Sequence, residues 1–154
     1  MIACSIVVDS SLPKGVAVQL ALYLQLLFVA YLRPREGLRL LGCDVAPPLA
    51  SLRYVAVNLH ASEQETRSKL GLADESILLD ANYATHLGPL LLRLAEVRQN
   101  EALFNFNYDL LKNEFVKAQV AVGLPERFVI YQCRHGGPSH DRAHKLRTPL
   151  EVQL

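Results

Sequence analysis

A mainly helical domain around one small antiparallel sheet (an α+β fold) is what this sequence predicts, and three observations predict it. Its 154 residues are 51% hydrophobic and 20% charged, a balance that excludes disordered and collagen-like chains. Three stretches, at 13–31, 89–99 and 107–122, are bounded by the residues that start and stop helices. Two short stretches, 53–60 and 76–80, read as a pair of strands. The length suits one domain and is enough to bury a core without disulfides or metals.

Residues 1–8 (MIACSIVV) carry no basic segment and run into Asp9, which makes a poor signal peptide. Ser10 or Ser11 then caps the first long helix, with Pro13 in its first turn. Residues 16–32 are mostly Ala, Leu and Val, yet the run is short for a membrane span. It also contains Gln19 and Gln25 and leads directly into Arg33, Pro34, Arg35 and Glu36, so it is expected to be a buried core helix ending near Tyr31. Pro34 opens a second, short helix over 35–41, closed by Gly42, and 44–48 is a strand stub running into a loop. RYVAVNLH at 53–60 alternates apolar and polar residues and is a strand. The polar stretch 61–69 turns the chain, and SILLD at 76–80 pairs back as the second strand of a hairpin. Helices follow at 89–99, with Pro89 in the first turn, and at 107–122. A loop at 123–125 then leads into 131–145. The 90–94 leucine run, Phe104, Phe106, Tyr108 and Phe115 are expected in the core. With no repeat or linker, the chain is read as one compact domain.

Three cysteines, Cys4, Cys43 and Cys133, form no CxxC pair, which argues against a disulfide framework or zinc ribbon and fits a reducing compartment. His140 and His144 sit i, i+4 near Cys133 and His135, too sparse a set to assign a metal, so none is expected. A net charge of +1 gives no global attraction to polyanions, and any such partner must be held by a local cluster. Residues 127–147 supply one, with five Lys or Arg (Arg127, Arg134, Arg142, Lys145, Arg147) against the single acid Asp141.

Two blocks hold arginine in unusual company: LRPRE at 32–36, and YQCRHGG at 131–137. Between them lies RSKLG at 67–71, just before the second strand. These blocks, in this order, resemble the two arginine boxes and hairpin lysine of the tyrosine recombinases, the phage-integrase-like DNA strand-exchange enzymes. The wording of LRPRE and of RHGGPSHD at 134–141 is similar to recombinase-like proteins of eukaryotic mobile elements. The resemblance runs from about residue 13 to the last residue.

The resemblance implies a tyrosine-recombinase catalytic fold, DNA breakage and rejoining through a 3′-phosphotyrosine, and no cofactor or metal. It makes Arg33 and Arg134 the pair that clamps the non-bridging phosphate oxygens. Arginine suits that task because its planar fork donates two parallel hydrogen bonds and stays charged at any working pH. Lys69 becomes the general acid for the leaving 5′ oxygen. Glu36 orients Arg33 from one helical turn away, with His135 also in a supporting place. Arg39, Arg127, Arg142, Lys145 and Arg147 would meet the DNA backbone, and the two clamp arginines should face one shared site. Tyr131 stands where the family usually has a histidine; a phenol can donate to phosphate but is a poor base at neutral pH.

No tyrosine follows Tyr131, although the family's nucleophile lies beyond the second arginine box. TPLE at 148–151 opens a helix that the sequence leaves only begun. The chain is therefore read as a C-terminally incomplete copy, inactive by itself. DNA is the expected partner, with a homo-oligomer on DNA at full length, no membrane and no small-molecule cofactor. The expected location is intracellular, and nuclear if the source is eukaryotic. The rival reading is a catalytically dead remnant serving as a DNA-binding or protein-interaction domain.

Overall fold

A computed structural model describes residues 1–49, 53–60, 74–124 and 128–147. Among these the chain forms helices α1 (Ile2–Asp9), α2 (Lys14–Val29), α3 (Pro34–Arg39), α4 (Leu87–Arg98), α5 (Tyr108–Ala121) and α6 (Gln132–Ala143). Strands β1 (Val45–Ala46), β2 (Ala56–His60) and β3 (Asp74–Leu78) make one antiparallel sheet in the order β1-β2-β3. The predicted class, helical with a small antiparallel sheet, is what these residues form. Their contacts divide into two compact units, one built from Met1–Arg39 and the chain from Phe104 onward, the other from Leu40–Leu103.

The first unit is helical and centres on α2. Leu20, Tyr23, Leu26 and Leu27 of α2 are fully buried, together with Ile6, Leu32 and Leu111. Burying each such side chain contributes about 1.5–3 kcal/mol, which explains why this apolar run packs inside the protein. No helix among the described residues is long and apolar enough to cross a membrane. The start of α2 differs in detail from expectation. Pro13 is the residue before the helix, and neither serine side chain caps it.

α1 was not expected at all. Eight residues rich in Ile and Val are too short and too β-branched to hold a helix alone, and this one survives by packing on α2 and α5 through Ile6. Ser5 adds a hydrogen bond from its hydroxyl to Asp9 Oδ2 at 2.7 Å. At the start of α5, Asn107 Oδ1 accepts from the Leu110 N–H at 2.9 Å, a side-chain cap. Gln119 near its end holds the Phe128 backbone with both halves of its amide, at 2.7 and 3.0 Å, and so fixes the approach to α6. Phe104 and Phe115 are buried as expected, but Tyr108 lies 43% exposed because the first turn of α5 turns it outward.

The second unit carries the sheet. Val57, wholly buried, pairs with Ile77, and Asn58 opposite Ser76 accepts that hydroxyl at 2.8 Å. The second strand begins two residues earlier than SILLD suggested, because pairing with β2 decides its limits rather than its own apolar content. Gly42 does not close α3, which ends at Arg39. It opens a one-turn 3₁₀ segment, Gly42–Asp44, whose N–H groups reach Glu101 and Gln99 carbonyls at the end of α4. A Cβ on Gly42 would lie 2.6 Å from the Gln99 backbone, so that close approach needs glycine. Leu91 of α4 is wholly buried, whereas Leu90 is 37% exposed; only part of the leucine run is core.

Candidate functional site

α2 ends at Val29, and Tyr31 takes a left-handed conformation (φ 55°) that turns the chain toward α3. Arg33 then precedes Pro34, the first residue of α3, and Glu36 falls in that helix's first turn. This local order fixes Glu36. Its Oε2 accepts the Arg33 backbone N–H at 2.6 Å, the reciprocal half of a capping box. The other carboxylate oxygen lies 3.5 Å from the Arg33 guanidinium.

Arg134, in the first turn of α6, arrives at the same carboxylate. Its Nη1 is 3.5 Å from Glu36 Oε2, a contact between residues 98 apart in sequence. Two guanidinium groups and one carboxylate therefore meet at one place, with one positive charge in excess. The Arg33 side chain is 55% exposed and that of Arg134 25%, which leaves donors on both forks open to an approaching anion.

Behind this group the packing is tight. Tyr23 donates its hydroxyl to the Pro34 carbonyl at 2.5 Å, and a Cβ on Gly37 would press into the Tyr23 ring. Burial, aided by the nearby charges of Tyr108, Cys133 and Glu36, drives the Tyr23 phenol far above its ordinary range. Burial likewise pushes the Cys133 thiol up to about 11. Neither group is a nucleophile near neutral pH.

Gly137 explains how α6 comes so close to α2. A Cβ there would overlap the Phe28 carbonyl oxygen and the Tyr31 ring. Gly136 and Gly137 lie in the middle of α6, and Pro138 is in the helix interior. Proline offers no N–H to the Arg134 carbonyl one turn back, and the neighbouring glycines leave room for its ring.

Two turns beyond Arg134, Asp141 is completely buried. Its Oδ2 accepts the Tyr31 hydroxyl at 2.5 Å and lies 3.5 Å from Arg147, while Oδ1 is 3.2 Å from His140 Nδ1. Arg147 also donates to the Val29 carbonyl at 3.2 Å and covers the Tyr31 ring at 5.2 Å. Burial first, and then the Asp141 hydrogen bond, pushes the Tyr31 phenol up to about 12, against the opposing pull of Arg147.

Arg147, which the resemblance set against the DNA backbone, has a side chain only 13% exposed and turned onto Tyr31 and Asp141. Arg39, Arg142 and Lys145 are at the surface. Tyr131 is 44% exposed and meets His135, one turn on, ring edge to face at 5.1 Å. Lys69 and Arg127 lie outside the described residues, as does the TPLE segment. Among the described residues no three His, Cys, Asp or Glu side chains are grouped to hold a metal ion. The Tyr31–Asp141–Arg147 network was missed by sequence reasoning. Its one visible signal was Asp141 itself, the lone acid in a basic stretch. No protein-family model, curated protein or solved structure matches this chain.

Proposed function

We propose that Arg33 and Arg134 form a phosphate clamp and that the chain is a DNA-binding domain of the tyrosine-recombinase kind. The observation that carries this reading is the convergence of the two arginines on Glu36 from distant parts of the sequence. A carboxylate held between two guanidinium groups occupies the kind of place a phosphate can take. Each planar fork can present paired N–H donors to non-bridging oxygens. If the bound phosphodiester is attacked, the extra negative charge develops on those oxygens, where fixed cations act most strongly.

The test is a fluorescence-anisotropy titration of a labelled duplex at two salt concentrations, with wild type, Arg33→Ala and Arg134→Ala. Binding should be micromolar or weaker, indifferent to sequence, and steeply reduced by salt as phosphates release counterions. Each alanine variant should lower the salt slope by about one. Salt-insensitive binding, or none at low salt, overturns the reading.

Tyr23 and Tyr31, two of the six tyrosines, favour a second reading, binding without strand cleavage by the 154-residue chain. Tyr23 and Tyr31 are buried and hydrogen-bonded, with phenols harder to ionise than usual. A nucleophile must come within about 3–3.5 Å of phosphorus, in line with the leaving oxygen. Incubation with a nicked suicide duplex should give no protein–DNA band on a denaturing gel. A band abolished by Tyr131→Phe identifies that phenol as nucleophile and rejects the second reading.

A further inference from the structure

The two arginines sit on different segments, and something must fix the distance between those segments. Arg33 lies two residues after Tyr31, at the turn between α2 and α3. Arg134 lies two helical turns before Asp141, on α6. The buried hydrogen bond from the Tyr31 hydroxyl to Asp141, 110 residues apart, joins those two segments directly. We infer that Tyr31 and Asp141, with Arg147 laid across them, are positioning residues for the Arg33–Arg134 pair, an inference that rests on the phosphate-clamp reading.

Three features support this. Tyr31 holds a left-handed backbone conformation, which is costly for an aromatic residue and is kept only where the surroundings hold it. That unusual turn is what aims the chain from the end of α2 toward Arg33. Gly137 lets α6 touch the Phe28 carbonyl and the Tyr31 ring, so a small shift of Tyr31 must be felt along α6. Arg147 then closes the group from a third direction, reaching Val29, Asp141 and the Tyr31 ring together. The guanidinium–Glu36 contacts, at 3.5 Å, are long and exposed, too weak to set their own geometry. The buried bond at 2.5 Å is the stiffer element, and it sets the spacing the clamp inherits.

The experiment uses the full chain and three variants: Tyr31→Phe, Asp141→Asn and Asn107→Ala. Asn107 caps α5 and takes no part in the clamp, so its variant controls for simple loss of stability. The readouts are the arginine Nε–Hε signals in ¹H–¹⁵N spectra, assigned with Arg33→Lys and Arg134→Lys, and the anisotropy of a short fluorescein-labelled duplex. Tyr31→Phe keeps the ring and removes only the hydroxyl. It should move the Arg33 and Arg134 signals and weaken duplex binding by about tenfold. Asp141→Asn should do the same where it folds. Asn107→Ala should leave both readouts as in wild type.

Unmoved guanidinium signals in folded Tyr31→Phe overturn the positioning role, as does an equal change in Asn107→Ala. Signals that move in a protein whose wild type binds no duplex uphold the positioning and overturn the DNA reading.

Discussion

Helix α6 presents two polar groups with opposite characters. Near its start, Arg134 meets Glu36 and Arg33 at the surface, with the three side chains 25%, 32% and 55% exposed. Near its end, Asp141 meets Tyr31 and Arg147 with side chains almost wholly withdrawn from water. The residue types are similar, but what each group can do is not. Charges in water are screened and their mutual attraction is small, so the first group can exchange one anion for another at little cost. Charges out of water must be fully partnered, so the second group is fixed and its removal is felt by the whole fold. Exposure suits the first group to binding, and burial suits the second to rigidity.

The largest effect that sharpens this contrast is Asp141→Ala. It leaves the Arg147 charge and the Tyr31 hydroxyl facing a gap in the interior, and should destabilise by about 3–5 kcal/mol. Urea denaturation followed by circular dichroism measures it. A loss below about 1 kcal/mol, the range of surface pairs, breaks the comparison.

Alkaline titration gives an effect of intermediate size. The Tyr31 phenol is raised in the folded protein from 10.0 to about 12, so the neutral form is the one the fold favours. That contribution is complete below pH 10 and is lost as pH rises through about 12. The Cys133 thiol, raised from 9.0 to about 11, adds a loss of the same sign that begins at lower pH. Denaturation midpoints of wild type and Tyr31→Phe should therefore draw together above pH 10. Curves that keep a constant separation through that window remove Tyr31 from the alkaline response.

The smallest expected effect on stability is at the surface group. Arg33→Ala and Glu36→Gln should each cost less than about 1 kcal/mol. On the phosphate-clamp proposal Arg33→Ala should nevertheless weaken duplex binding, because the lost fork would donate to phosphate and makes no contact with the core. A large loss of stability from either variant would show that the exposed group is structural after all.

Much of the fold was legible because it follows from patterns local to the chain. The 16–32 run had too many buried-type residues to face water and too few to cross a membrane, and α2 is a core helix. Alternation at 53–60 located β2, and proline and glycine positions bracketed α4 and α5 within a few residues. α1 was not legible, since Ile and Val favour no helix there until α2 and α5 supply a surface. Proline argues against a helix interior, so nothing local to the sequence placed Pro138 inside α6, beside the contact of Gly137 with α2.

By itself the sequence determined which residue types stand where: two arginines in distinctive blocks, a glutamate one turn from the first, and a basic stretch around the second. Their types and local spacing are properties of short segments, set by side-chain chemistry and helical period. Only the tertiary structure decided which of the basic residues face outward. Arg147 lies inside and Arg134 at the surface, although both come from the same charged stretch. Exposure depends on what packs against a side chain from elsewhere in the chain. For Arg147 those partners are Val29 and Tyr31, far away in sequence and brought near by the touch of α6 on α2 at Gly137.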